Sequence, residues 1–383
     1  MKILAITSNR ADYDLMSKLY LKLNDDKAIE LKLLVSGSHL STRFGNTQEF
    51  IKNDKLDVLI NIESLLDSDT HASRIKSASI LLMNSIDIVN SYNPDLLIYA
   101  GDREDVFVGA LLGGYLNIPT VHFFGGDHAA DGHIDNPIRH ATSKISTYHF
   151  VSAEEHKKRL LALGEPDFRV KVIGSVALDK FLEHKPIRMQ EINSILGINT
   201  DFLKHAIIIF HPIDEESDVG HLYVRRIIDS LLKRGVFVFV GSPNSDPGNV
   251  AIIGTIKMYQ GNENVHIYNS LSRDIFLSLF KHASVIAGNS SAGLLEAASI
   301  KVPVVNVGKR QVGRLCAKNV IFTDGGKPEI DLAIEKALSS DFSNFIKCID
   351  NPYGDGKSVN RAIKLLKTLE FKNNFLKKED PIG

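Results

Sequence analysis

Pro94–Asp105 reads PDLLIYAGDRED, and the way this stretch is built decides the fold. Leu96 to Ala100 are apolar without alternation, the pattern of a strand covered on both faces, and Gly101 then turns the chain into the charged start of a helix. The same unit recurs on either side. KILAITS (2–8), IELKLLVSG (29–37) and LDVLINIE (56–63) precede it, and TVHFFGG (120–126), YHFVSA (148–153) and VKVIGS (170–175) follow. Each run leads through a polar turn into residues with helical spacing, and strands alternating with helices build a parallel, doubly wound α/β sheet.

After a charged interval, KFLEHKPIRMQE (180–191), the pattern restarts with HAIIIFHP (205–212), VFVFVGS (236–242), NVHIYN (264–269), SVIAGN (284–289), VPVVNVG (302–308) and VIFTDGG (320–326). The reading is an N-terminal domain at 1–180, a second at 181–357, and a C-terminal helix and tail at 358–383 that pack back on the first. Open α/β sheets take ligands beyond the carboxyl ends of their strands, so two in tandem imply an interdomain cleft lined by strand-end motifs.

At 383 residues the chain can bury most of its unfolded surface without a disulfide or metal staple. Cys316 and Cys348 have no zinc-like spacing and are expected to stay thiols. Lys and Arg total 45 against 46 acids, so no basic surplus points to nucleic acid. The N-terminal apolar run is too short for a signal peptide, and no stretch reaches the ~20 residues of a membrane span. A cytoplasmic protein without a membrane partner is expected.

The motifs sit after the strands. Arg10 follows the first, where a guanidinium suits a phosphate or a sugar. In GDR, Gly101 permits the turn, Asp102 points to the mouth of the fold, and Arg103 is expected to keep that carboxylate ionised; the plainer alternative makes Asp102 a helix cap. The loop GGDHAADGHIDNPIRH (125–140) crowds Asp127, His128, Asp131, His133, Asp135 and His140 together, more titratable groups than a turn needs. Its spacing is not that of a metal motif, so no metal is expected, and Asp135 doubles as a candidate helix cap.

In the second half, FHP (210–212) ends a strand with His211, a candidate diphosphate donor or proton carrier. GNSSAGLLEAA (288–298) is the strongest pattern: Ser290 and Ser291 bring hydroxyls and backbone N–H groups to a helix start, a ready anion site. Glu296 lies about one and a half turns on, placed to accept ribose hydroxyls. GKRQVGR (308–314) adds Arg310 and Arg314, and PNSDPG (243–248) adds Asn244. NPYGDGKS (351–358) imitates a P-loop, but Asn351 stands where its first Gly belongs and no strand precedes it.

Taken in order, NRADY (9–13), GDR (101–103), the GGD loop ending IDNPIRHATSKIS, FHP, PNSDPG, GNSSAGLLE, GKRQVGR and PYGDG resemble the hydrolysing UDP-N-acetylglucosamine 2-epimerases of sialic-acid-type pathways. The resemblance covers nearly the whole chain. It implies two Rossmann-like domains of glycosyltransferase-B type, the nucleotide on the second, no cofactor, and a homodimer or homotetramer. It also implies proton transfer by Asp102, Asp127 and Asp135, diphosphate binding by His211, Ser290, Ser291 and Arg310, and ribose binding by Glu296. Two positions depart from the pattern: Phe124 stands where some members carry Glu, and Asp127 is a methylene shorter than the usual Glu.

The implied reaction releases UDP from UDP-N-acetylglucosamine, forms a 2-acetamidoglycal, and hydrates it to N-acetylmannosamine. The alternative substrate is a UDP- or GDP-linked 2,4-diacetamido-2,4,6-trideoxy sugar of a legionaminic-type pathway, which an apolar Phe124 near the sugar would favour. A glycosyltransferase of the same fold is the other enzyme reading, and a non-catalytic nucleotide-sugar sensor would leave the acids of the 127–135 loop unexplained.

Overall fold

The computed structural model describes residues 1–66, 70–129, 134–243, 248–269 and 271–373. Two compact units account for them: Met1–His128 with Gly132–Lys180 and the stretch from Tyr353, and a second centred on Phe181–Pro352. In the first unit, strands β1 (Lys2–Thr7), β2 (Glu30–Ser36), β3 (Val58–Ile62), β4 (Leu96–Ala100), β5 (Thr120–Phe123), β6 (Tyr148–Val151) and β7 (Val170–Val172) alternate with helices. These are α1 (Arg10–Asn24), α2 (Gln48–Asn53), α3 (His71–Tyr92), α4 (Glu104–Tyr115), α5 (Asp135–Ile145), α6 (Glu154–Ala162) and α7 (Val176–Glu183). All strand pairs are parallel, in the order β3-β2-β1-β4-β5-β6-β7.

The second unit repeats the plan with β8 (His205–Ile209), β9 (Phe237–Gly241), β10 (Val265–Tyr268), β11 (Val285–Gly288), β12 (Val304–Val307) and β13 (Val320–Thr323), in the order β10-β9-β8-β11-β12-β13 and again parallel. Its helices are α8 (Met189–Leu196), α9 (Gly220–Lys233), α10 (Asn249–Lys257), α11 (Arg273–His282), α12 (Ser291–Leu295), α13 (Lys327–Leu338) and α14 (Ser340–Phe345). Each sheet reverses its winding beside its first strand, between β1 and β4 and between β8 and β11. That reversal opens the crevice in which such sheets take ligands.

The absence of alternation in the strand sequences has a direct cause in packing. Ile3 and Ala5 of β1 face a core built with Tyr13, Met16, Leu19 and Leu23 of α1, whereas Leu4 and Ile6 face Leu81 and Val89 of α3 and Val106 and Leu112 of α4. Successive side chains point to opposite faces, and both faces are covered. In β8, Ala206 and Ile208 likewise pack on α9 and α13, while Ile207 meets Phe280 and Ile192.

The last helix, α15 (Ser358–Thr368), belongs to the first unit: Val359, Ala362 and Leu366 enter the same core as α1. The return begins at Tyr353, whose carbonyl accepts from the Ser175 N–H at 2.7 Å. The buried Asp179 carboxylate accepts the Ser358 and Val359 N–H groups, both at 2.9 Å, and so occupies the start of α15. A phosphate would have to displace a carboxylate there, which is the physical reason the P-loop-like NPYGDGKS is not one. Among the described residues no helix is long and apolar enough to cross a membrane.

Candidate active site

At the winding reversal of the first sheet, the chain leaves β1 through Ser8 and Asn9 and leaves β4 through Gly101 to Arg103. Asn9 caps α1 in a reciprocal box with Asp12: its side chain accepts the Asp12 N–H at 3.1 Å, and the Asp12 carboxylate accepts the Ser8 and Asn9 N–H groups. The polar residues of NRADY therefore fix where α1 starts, which sets Arg10 at its first position. Arg10 pairs with Asp14 at 3.5 Å and lies over the Phe50 ring at 5.3 Å.

Gly101 has φ +105, a conformation that side chains other than glycine's rarely adopt. Its carbonyl lies 2.8 Å from His122 Nε2; a carbonyl only accepts, so Nε2 carries the proton, and Nδ1, 3.0 Å from Ser143 Oγ, accepts from that hydroxyl. A cation in contact with Asp102 is Arg139 of α5. Arg103 is the N-cap of α4, so the cap role weighed for Asp102 falls to its neighbour. The reason Arg139 reaches Asp102 is topological: parallel winding puts α5 beside α4.

Arg139 is buried and gathers a second acid, with Nη1 3.8 Å from Asp127 Oδ2. The other Asp127 oxygen accepts the His128 N–H at 2.8 Å and lies 3.4 Å from His156 Nε2. Asp135 is the first residue of α5, and Ile134 is the cap position, so Asp135 is not the cap. Its carboxylate pairs with Arg74 of α3 at 3.2 Å, and Arg74 also grips Glu104 through two bonds at 2.6 and 3.2 Å. These acids raise the Arg74 guanidinium further above its usual range, with the Glu104 hydrogen bonds as the largest cause. The Asp102 and Asp135 side chains keep 28% and 25% of their surface exposed, against 9% for Asp127. Asp102 and Asp135 can meet a substrate; Asp127 is enclosed.

One acid that the sequence reading passed over lies just behind this set. Asp105 of α4 is buried and hydrogen-bonded by the Ser8 hydroxyl. Burial first, and then the negative charge of Asp12, push its carboxyl up to about 7. Asp131 and His133 lie outside the described residues.

In the second sheet the reversal falls between β8 and β11, and there His211 and Gly288–Ser291 come together. Gly288 has φ +127, and a Cβ on it would run into the Ile209 carbonyl. The fully buried Asn289 then clips the two strand ends: its Oδ1 accepts the His211 N–H at 2.7 Å, and its Nδ2 donates to the His211 carbonyl at 2.8 Å. The Asn289 carbonyl in turn accepts from Arg310 Nη1 at 2.9 Å and Gln311 Nε2 at 3.0 Å. A single residue thus ties His211, Ser290 and Arg310 into one cluster.

Ser290 caps α12 through a bond from the Ala292 N–H, so its hydroxyl already serves the helix as acceptor while retaining a donor for an anion. The helix has only five residues, so its dipole is smaller than the sequence suggested. Glu296 ends α12, is buried, and lies 4.0 Å from Arg273 Nη2. Arg314 Nη1 donates to Gln311 Oε1 at 2.9 Å. The loop that carries these arginines is pinned from below: Glu216 accepts the Lys309 N–H at 3.0 Å and fills the space above Gly308, and burial raises the Glu216 carboxyl. Asn244 lies outside the described residues.

Sequence reasoning missed Arg139, Asn289, Arg74 and Asp105. Arg139 had a signal, since it stands four residues after Asp135 and shares its helix face. Asn289, polar directly after a fully apolar strand, had one too; Arg74 and Asp105 had none beyond their charge.

The sequence matches the UDP-N-acetylglucosamine 2-epimerase family over residues 21–367. A protein of Legionella pneumophila described as a hydrolysing UDP-N,N'-diacetylbacillosamine 2-epimerase is 34% identical over 98% of both chains. A Campylobacter jejuni GDP/UDP-N,N'-diacetylbacillosamine 2-epimerase is 32% identical over 89% of this chain and 88% of its own. The crystal structure of UDP-GlcNAc 2-epimerase from Neisseria meningitidis bound to UDP-GlcNAc superposes with a TM-score of 0.83 at 19% identity, over 96% of this chain and all of that one, which gives the fold as two Rossmann-like domains of glycosyltransferase-B type. The chain belongs to the UDP-N-acetylglucosamine 2-epimerase family and is an enzyme, a hydrolysing nucleotide-sugar 2-epimerase.

Proposed function

We propose that this enzyme converts a UDP-linked 2,4-diacetamido-2,4,6-trideoxy sugar into UDP and the free sugar inverted at C2, for the synthesis of a sialic-acid-like nonulosonic acid. The observation that carries the substrate is the 34% identity, end to end, with a relative described as acting on UDP-N,N'-diacetylbacillosamine. Phe124 supports it, an apolar, half-buried side chain directly after β5 where a 6-methyl group rather than a hydroxymethyl would be favoured. The family description favours the second reading, UDP-N-acetylglucosamine giving N-acetylmannosamine.

In this reading the reaction begins with cleavage of the anomeric C1–O bond, with the electron pair leaving on UDP. C2–H is not acidic in the intact sugar and becomes so as positive charge develops at C1, so holding the departing diphosphate is itself catalytic. His211, Ser290, Ser291, Arg310 and Arg314 are assigned to that charge, and Glu296 to the ribose. A carboxylate takes the C2 proton and a glycal forms; water then adds its oxygen to C1 while an acid delivers a proton to the opposite face of C2. Asp102 and Asp135, more open than Asp127, are assigned these transfers, and enclosed Asp127 a supporting part. Atoms balance with one water consumed, and no electron is transferred, so the chemistry calls for no redox cofactor.

Arg10, Arg103 and Asn244 remain assigned to substrate binding, and the enzyme is proposed to be cytoplasmic and a dimer or tetramer. The substrate test is UDP release from the two nucleotide sugars offered separately. We expect the diacetamido sugar to give a kcat/KM at least about tenfold higher, since one or two well-packed groups in an apolar pocket are worth about that factor. A preference for UDP-N-acetylglucosamine would move the assignment to the second reading.

A further inference from the structure

We propose that Arg139 is the positioning residue that holds Asp102 as a carboxylate and aims it for proton transfer; this rests on the 2-epimerase reading above. Asp102 sits on a loop, and a loop side chain with a quarter of its surface exposed has no direction of its own. Two contacts supply one. His122 holds the Gly101 carbonyl at 2.8 Å, and Arg139 holds the Asp102 side chain.

Arg139 in turn faces a second, enclosed acid. Asp127 is enclosed, with the His128 N–H on one oxygen at 2.8 Å and His156 Nε2 3.4 Å away, and its other oxygen 3.8 Å from Arg139 Nη1. A guanidinium is a flat fork with five donors and is charged at every working pH, so it can serve an enclosed acceptor and an open one at once. Direction thus passes from Asp127 through Arg139 to Asp102. Buried, the Arg139 charge acts in a poorly screened surrounding. Its reach is visible on the neighbouring His140, held below its usual value by burial first and by Arg139 second. Among the described residues, the ionisable groups near the pair include Asp127, His128, His140, His156, Arg103 and Arg159, with His122 beneath Gly101.

The test follows the Asp102 carboxyl directly, by carbon-13 NMR of the full chain labelled at aspartate carboxyls, with the Asp102 signal assigned by its loss in Asp102→Asn. In Arg139→Met the titration midpoint should rise by about 1–3 pH units, the size of effect a neighbouring guanidinium has on an aspartate. The acid limb of the kcat profile should rise with it while UDP affinity stays within about twofold, and Arg139→Lys should return the limb toward the wild-type position with kcat still reduced, because a point charge restores the field but not the fork. An unmoved midpoint overturns the proposal. If Arg139→Met does not fold, Asp127→Asn decides: with one anion fewer on Arg139 the Asp102 midpoint should fall, and no change refutes the coupling. A wild-type enzyme that releases no UDP from either sugar would sink the functional reading alone, since the titration needs no turnover.

Discussion

Asp102 and Asp127 are both aspartates of the first unit, yet their surroundings give them different work. Asp102 is open enough to reach a substrate, whereas Asp127 is enclosed, with one oxygen on the His128 N–H and the other facing Arg139. Asp102→Asn should therefore cut turnover by at least about 100-fold, as loss of a general acid or base does, and leave UDP affinity within about twofold, because UDP is assigned to the second unit. Turnover close to wild type, measured beside UDP titration calorimetry, would remove Asp102 from the chemistry. Asn289 makes the converse case. Asn289→Ala would orphan the N–H and carbonyl of His211 and loosen the cluster with Arg310, so UDP binding should weaken by about tenfold, some 1.4 kcal/mol, the worth of one buried hydrogen-bond pair. Calorimetry giving an unchanged affinity would mean that the cluster is not the diphosphate site. Asp102 and Ser290 stood out in the sequence as candidates because each lies within two residues of a glycine at a strand end. Arg139 and Asn289 were less legible, because what they touch is decided by which strands lie side by side, and pairing between β4 and β5 or between β8 and β11 is not written in local spacing.

Among the elements, the strands were the most legible, since burial on both faces leaves an unalternating apolar run that needs no knowledge of partners. Helix starts were less so: Asp102 and Asp135 each looked like a cap, and the structure gives the cap positions to Arg103 and Ile134. The junction of α1 and α4 could not be read at all. There Asp105 is buried against Ser8 and near Asp12, and its carboxyl is pushed up to about 7. An unfolded chain releases that proton near pH 4, while the fold keeps it to about 7. The folded state therefore binds more protons across this window, and the contribution of Asp105 makes stability fall as pH rises from about 4 to 7. Asp105→Asn removes that slope, so thermal melting at a series of pH values should show the variant gaining on wild type as pH rises from about 4 to 7. A constant gap across the series would mean that Asp105 ionises normally.

At the scale of the whole molecule, two sheets of the same winding each present their candidate residues where the strand order reverses, the place where the physics of parallel sheets leaves backbone groups and helix starts available to a ligand. The first unit presents carboxylates beside arginines, Asp102 with Arg139 and Asp135 with Arg74, and the second presents N–H and O–H donors. That contrast, more than any one motif, suits a reaction in which a diphosphate departs and a carbon-bound proton is exchanged. The most direct measurement is proton NMR of the reaction in D2O with the diacetamido nucleotide sugar and, separately, UDP-N-acetylglucosamine. Elimination followed by hydration predicts UDP and a free, C2-inverted sugar in equal amounts, with deuterium at C2 in every product molecule. UDP release with the original C2 proton retained, or an epimerised sugar still attached to UDP, would contradict it.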